Sequence, residues 1–234
     1  MKLDRNTTLY IHRALDALPP FIRDSRLFWT LVFRVFFGGK YRYFLDFKTK
    51  SIFVNDDDYG RYYRELTRVH IQRPTDLNTP SIEYILRAIE GASLLDAGCG
   101  RGYLCRTIAA RHPALRITGC DIHVADLRCG EAEKISYREG NVERLPFPDE
   151  SFDTVVCTHT LEHVRNLHVA IAELRRVCRR KLICIFPKQR EYPYTFDLHV
   201  NFFPYRFSVI RAFQNERATI EVLGGDWAYT EIVR

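Results

Sequence analysis

Leu94-Leu95-Asp96-Ala97-Gly98-Cys99-Gly100-Arg101-Gly102-Tyr103-Leu104 is the stretch on which the fold turns. An apolar run of strand length breaks into glycines and resumes as a helical pattern, with Leu104 and Ile108 on one face. That is the strand-to-helix corner at which open parallel sheets bind ligands. Glycines there let the backbone turn sharply and approach a ligand with no Cβ in the way. The spacing is GxGxG, and Tyr103 stands where a dinucleotide fingerprint needs its last glycine. Asp96, two residues before the first glycine, would repel a pyrophosphate but suits a ligand bearing an ammonium or sulfonium group.

Outward from this corner the chain alternates. Upstream, Thr79 as N-cap, Pro80 at the first helical position and Ile82, Ile85, Leu86 and Ile89 at helical spacing predict a helix ended by Gly91. Ser93–Ala97 is the first strand and Tyr103–Arg111 the helix after it, stopped by Pro113. Strands are predicted over 115–121, 135–138, 152–158 and 181–187, with helices over 124–133, 167–178 and 202–213. Segments 218–223 and 227–233 flank Gly224-Gly225 as a terminal hairpin. This predicts an α/β fold, a doubly wound and mainly parallel sheet closed by an antiparallel pair.

Residues 1–75 lack that alternation. Leu27–Phe37 reads LFWTLVFRVFF, and Arg23, Arg26, Thr30 and Arg34 recur at three- and four-residue steps. A helix would gather those polar residues into one stripe and leave its other faces apolar, to be covered by protein or by a lipid interface. Residues 1–50 hold ten Lys/Arg against four Asp, whereas the remaining 25 basic and 25 acidic residues cancel, so the net charge of +6 belongs to this segment. No run of ~20 apolar residues could span a bilayer. No apolar stretch follows a basic start at Met1, so no secretory leader is expected. The seven cysteines lie mostly in apolar segments without CxxC spacing, which predicts buried thiols rather than zinc ligands or disulfides. Asp56-Asp57-Asp58 reads as an acidic turn, since adjacent residues cannot converge on one ion.

Asp121, 23 residues beyond Gly98, closes the second strand, where a carboxylate accepts hydrogen bonds from both hydroxyls of a ribose. Asn141 and Val142 follow the third strand and suit the edge and face of a purine. The runs LLDAGCGRGYL, TGCDI, GNVERLPFPDESFD and CTHTLEHV, in this order and spacing, resemble class I S-adenosylmethionine-dependent methyltransferases of the ubiquinone/menaquinone-biosynthesis-like group. The resemblance covers roughly residues 80–190 and implies a Rossmann-like seven-stranded sheet whose last strand is antiparallel. It implies S-adenosylmethionine as cofactor, with Gly98 and Gly100 bordering its methionine and ribose portions. Asp96 would then lie near the amino group, Asp121 on the ribose diol and Ile122 on adenine. Asn141, where many relatives have Asp, would take the adenine edge with Val142, and Thr158 with His159 would line the methyl end. Residues 76–234 are expected to form this domain. Residues 1–75 would be a helical extension capping the donor cleft, with Tyr62 and Tyr63 closing over the methionine end.

No Asp/Asn-Pro-Pro-aromatic run follows the fourth strand, which argues against methylation of adenine, cytosine or glutamine nitrogens. The expected acceptor is a small-molecule, lipid-linked or glycan hydroxyl, met by the segment Lys188–Phe203 with Arg190 and several aromatics. A hydroxyl acceptor must lose a proton, and His159, His199 and His163 are the candidate bases, in that order. Two other readings stand beside this one. An RNA methyltransferase would use residues 1–50 as a phosphate-binding arm, for which Leu27–Phe37 is too apolar. A non-catalytic partner subunit would not need the glycines or Asp121. The expected location is the cytoplasm, with peripheral contact at the inner membrane face through residues 23–37.

Overall fold

In a computed structural model, residues 10, 14–55, 58–60, 74–124, 127, 134–194 and 197–233 are described. Packing divides the chain into two compact units. The first comprises Met1–Asp76 with Glu191–Val200, and the second Leu77–Arg190 with Asn201–Arg234. Part of the segment read as a substrate loop thus folds with the first unit: Tyr192 and Leu198 are buried, and the Tyr192 hydroxyl donates to Asp16 Oδ1 at 2.6 Å. Tyr62, Tyr63, Asp56 and Asp57 lie outside the described residues.

In the first unit, a single turn (Pro20–Arg23) precedes helix α1 (Arg26–Phe37), a 3-10 turn (Gly38–Lys40) and helix α2 (Tyr41–Lys50). The Ser25 hydroxyl caps α1 by accepting from the Phe28 N–H at 3.3 Å. Gly38, at φ +53°, ends the helix in a conformation that disfavours a side chain. The hairpin closes on its aromatics: Phe37 stacks on Phe44 at 3.7 Å, and Trp29, Phe33, Phe44, Phe47 and Leu198 share one core. The two apolar flanks of α1 therefore differ. Trp29 and Phe33 are buried, whereas Leu27, Leu31 and Val35 face out.

The second unit carries seven strands: β1 (Ser93–Ala97), β2 (Arg116–Asp121), β3 (Ile135–Glu139), β4 (Phe152–Thr158), β5 (Cys178–Pro187), β6 (Thr219–Leu223) and β7 (Asp226–Ile232). They form one sheet in the order β3-β2-β1-β4-β5-β7-β6, parallel except for β7, which runs against both β5 and β6. Central strands buried on both faces explain the apolar runs without alternation in β1 and β4. Successive residues still point to opposite faces. Leu95, Val155, Leu182 and Cys184 enter one core cluster, while Leu94, Val156, Ile183 and Ile185 enter the other. Helices α3 (Thr79–Ala88) and α4 (Tyr103–Arg111) supply the second cluster, and α5 (Leu167–Val177) and α6 (Arg206–Phe213) the first.

Several boundaries move. The N-cap of α3 is Asn78 rather than Thr79, its side-chain oxygen accepting from the Ser81 N–H at 2.8 Å. Strand β5 begins at Cys178, because α5 runs directly into it, and α6 begins only at Arg206, after Pro204. The expected helix over 124–133 falls largely outside the described residues. Among the described residues the six cysteines are free and buried, and no helix is long and apolar enough to cross a membrane.

Candidate active site

The carboxyl ends of β1 and β2 lie flush, with Ala97 opposite Cys120, and the glycine loop leaves from that edge. The N–H groups of Gly98 and Cys99 both donate to the Cys120 carbonyl (2.7 and 3.0 Å), which binds the loop to the neighbouring strand. Gly98 adopts φ +82°, and a Cβ there would overlap Thr160 Oγ1, so both conformation and space demand glycine. Above Gly100 there is open space.

Two carboxylates meet at this edge. Asp96 is fully buried; its Oδ2 accepts from the Cys105 thiol at 3.2 Å, and its Oδ1 has no partner among the described residues. Burial pushes its pKa up to about 7, and the Asp121 charge adds to the rise against the Cys105 hydrogen bond. Asp121 Oδ2 accepts from the Gly100 N–H at 2.8 Å and Oδ1 from the His123 N–H at 3.3 Å. Burial raises the Asp121 pKa while these backbone donors oppose it. A carboxylate has about four acceptor sites, so Asp121 can still take two hydroxyl donors. A buried oxygen lacking a donor, a second carboxylate and a bare glycine backbone fit the α-ammonium and ribose of S-adenosylmethionine.

The remaining cofactor candidates divide. Ile122 is 40% exposed at the end of β2 and offers apolar surface to an adenine ring. Asn141 Oδ1 accepts from the Glu143 N–H at 2.8 Å, which spends one lone pair and leaves the Nδ2 group for a purine edge. The Val142 side chain is buried in the core cluster shared by Cys120 and Leu145. Thr158 ends β4 opposite Ile185, half-buried, with its carbonyl accepting from Thr160 Oγ1 at 3.0 Å.

His159, expected first as a general base, is built differently. It follows β4 at φ +47° with its ring buried between two carboxylates. Nδ1 lies 3.2 Å from Glu162 Oε1, and Nε2 lies 3.3 Å from Asp226 Oδ2 without hydrogen-bond alignment. Burial lowers its pKa, but Asp226 and Glu162 outweigh this and lift it to about 10. A base must be unprotonated at the working pH, and the two flanking carboxylates favour the protonated ring instead. Asp226 is itself positioned by the Asn78 amide, which donates to its Oδ2 at 2.9 Å and to the Leu223 carbonyl at 2.8 Å. Neither Asn78 nor Asp226 was legible as part of a site, since they lie 148 positions apart in the chain. His163 sits half-buried in the turn after β4, its N–H donating to the Thr160 carbonyl at 2.9 Å. His199 belongs to the first unit, with Nδ1 3.2 Å from Asp197 Oδ2. Glu143 was also missed: its carboxylate accepts from the N–H groups of Arg165 and Asn166 at 2.8 and 3.1 Å, tying the loop after β3 to the start of α5.

Residues 95–186 match the family model of a methyltransferase domain. The chain is 33% identical over 116 residues to a demethylmenaquinone methyltransferase of Tropheryma whipplei, covering 46% of this chain and 47% of that protein. It is 35% identical over 114 residues to a ubiquinone biosynthesis O-methyltransferase of Alkalilimnicola ehrlichii, covering 44% and 45%. The match thus spans about half the length of these curated relatives. In fold, a SAM-dependent methyltransferase of Aquifex aeolicus superposes with a TM-score of 0.54 at 15% identity, over 73% of this chain and 98% of that one. Human N-acetylserotonin methyltransferase, solved with SAM, gives 0.52 at 14% identity, over 78% and 57%. The matched segment opens on β1 and its glycine loop and closes on β5, and so contains both carboxylates of the site. Residues 95–186 thus form a class I S-adenosylmethionine-dependent methyltransferase domain, similar in sequence to methyltransferases of ubiquinone and menaquinone biosynthesis.

Proposed function

We propose that the protein transfers the methyl group of S-adenosylmethionine to a hydroxyl of a small-molecule or lipid-linked acceptor, with a phenolic, quinol-like ring as the acceptor favoured. The observation that carries the donor half is the unpartnered Oδ1 of buried Asp96 beside Asp121 at the glycine loop. The acceptor half draws support from relatives named for ubiquinone and menaquinone biosynthesis. When bound, the cofactor supplies a methyl group already activated by its sulfonium, so the chain's task is to position donor and acceptor in line and exclude water. A phenolic hydroxyl, with a pKa near ~10 like tyrosine, sheds its proton more readily than an alcohol. That fits a site whose first histidine is flanked by two carboxylates that favour its protonated form. A lipid-linked acceptor places the work at the inner face of a membrane.

Titration calorimetry with S-adenosylmethionine and its demethylated product tests the reading. Both should bind at one site, and Asp121→Ala should weaken both by ~2–3 kcal/mol through loss of charge-assisted hydrogen bonds. Mass spectrometry with a catechol or quinol acceptor should then show a gain of one methyl group. Tight NADH binding without a response to the sulfonium cofactor overturns it.

A further inference from the structure

We infer that the outward face of α1 is a docking surface for an anionic lipid bilayer. The inference stands on the first unit alone and is independent of the methyl-transfer reading. Leu27, Leu31 and Val35 recur every four residues on α1 and are 72%, 58% and 83% exposed. At 1.5 Å per residue they form a ridge about 12 Å long, on the side of the helix away from Trp29 and Phe33. Phe21 just before the helix is equally open. So are Ile52 and Phe53 after α2, at the hairpin end where Arg26 meets Asp46 at 2.9 Å. Single exposed apolar residues are ordinary, but a ridge of them marks an interaction surface.

The charge around the ridge selects the occupant. Arg34, next to Val35, lies over the Tyr41 ring at 4.9 Å, and Arg42 lies over it at 5.7 Å. Neither is ion-paired among the described residues. Arg26 and Lys50 share the single carboxylate of Asp46 at 2.9 and 3.3 Å, which leaves that group positive as well. Ten Lys/Arg against four Asp in residues 1–50 make the whole segment cationic. A second copy would set like charge against like across the same face, which disfavours self-pairing. Anionic headgroups complement the arginines, and the acyl boundary takes the Leu27–Leu31–Val35 ridge. A helix of 12 residues is too short to cross a bilayer and suits its interface.

Flotation of the full chain with vesicles of phosphatidylglycerol and phosphatidylcholine, against phosphatidylcholine alone, reads this directly. Binding should require the anionic lipid and weaken with salt. Leu31→Asp with Val35→Asp should lower the vesicle-bound fraction by ~tenfold or more. Arg34→Gln with Arg42→Gln should lower the partition constant about thirtyfold, since two arginines near the surface together contribute roughly 2 kcal/mol. All four positions are exposed, so Trp29 fluorescence should be unchanged in both variants. Calorimetry with S-adenosylmethionine should also be unaffected, and a wild-type chain that ignores the cofactor would count against methyl transfer while leaving flotation to judge the surface. Absence of flotation, or flotation insensitive to both pairs of substitutions, overturns the inference. A dimer in sedimentation equilibrium that Leu31→Asp abolishes, in a chain that does not float, assigns the face to a second copy instead.

Discussion

Asp96 shows how much one residue's surroundings decide. Its carboxylate is buried with one oxygen unmatched, and burial lifts its pKa to about 7, so that without a cationic partner the protonated form gains as pH falls below about 7. An ammonium group placed against Oδ1 favours the ionised form, so binding must drive that proton off. Affinity for S-adenosylmethionine should therefore rise as pH climbs through about 7. It should fall again as the cofactor's own α-ammonium titrates near ~8. Calorimetry in buffers of different ionisation enthalpy should register proton release below pH ~7, and Asp96→Asn should abolish the rising limb and the release together. An affinity flat across this range would mean that Asp96 does not meet the ammonium. His159 makes the complementary point: placement after the fourth strand was legible, whereas Glu162 and Asp226 on either side of its ring, and hence its charge, were not.

At the scale of elements, the antiparallel β7 is fastened by charge as well as by its ladder. Arg175 of α5 grips Glu231 of β7 through Nε at 2.6 Å and Nη2 at 2.9 Å, and donates to the Phe213 carbonyl at the end of α6 at 2.7 Å. Tyr229 and Asn215 also donate to Glu231 Oε2, both at 2.6 Å. Glu231 is buried, so losing its charge leaves four donors competing for a weaker acceptor. Glu231→Gln should lower unfolding stability by roughly 2–3 kcal/mol, read as a reduced urea midpoint with unchanged slope. An unshifted midpoint would show that the pair is energetically idle. The hairpin itself was readable from Gly224-Gly225, but its clamp, joining residues 56 positions apart, was not.

The whole molecule is two compact units, and each owns one of its two tryptophans: Trp29 in the aromatic core of the first, Trp227 in the sheet core of the second. Their fluorescence should report separate transitions. Trp227→Phe isolates the first unit and Trp29→Phe the second, and urea curves from the two variants should have different midpoints. S-adenosylmethionine at ~100 times its dissociation constant should stabilise the unit read by Trp227 by ~2.7 kcal/mol. Coincident curves, shifted equally by the cofactor, would show that the chain unfolds as one cooperative body.

The sequence by itself determined the sheet and the glycine-loop edge at which β1 ends. Strand and helix periodicity, the glycine corner and the carboxylates Asp96 and Asp121 are each local features, every one read from its own strand or turn. Thus β1, β4 and α4 stand where their patterns placed them. Tertiary structure alone decided which apolar flank of α1 is inside, because Leu31 and Phe33 are equally apolar as letters and only the packing of Phe33 against Phe44 separates them. It also decided the state of His159, whose charge depends on carboxylates brought in from a turn and from the far end of the chain. Protonation and burial are properties of surroundings, and for these residues the surroundings are assembled from positions that no local pattern connects.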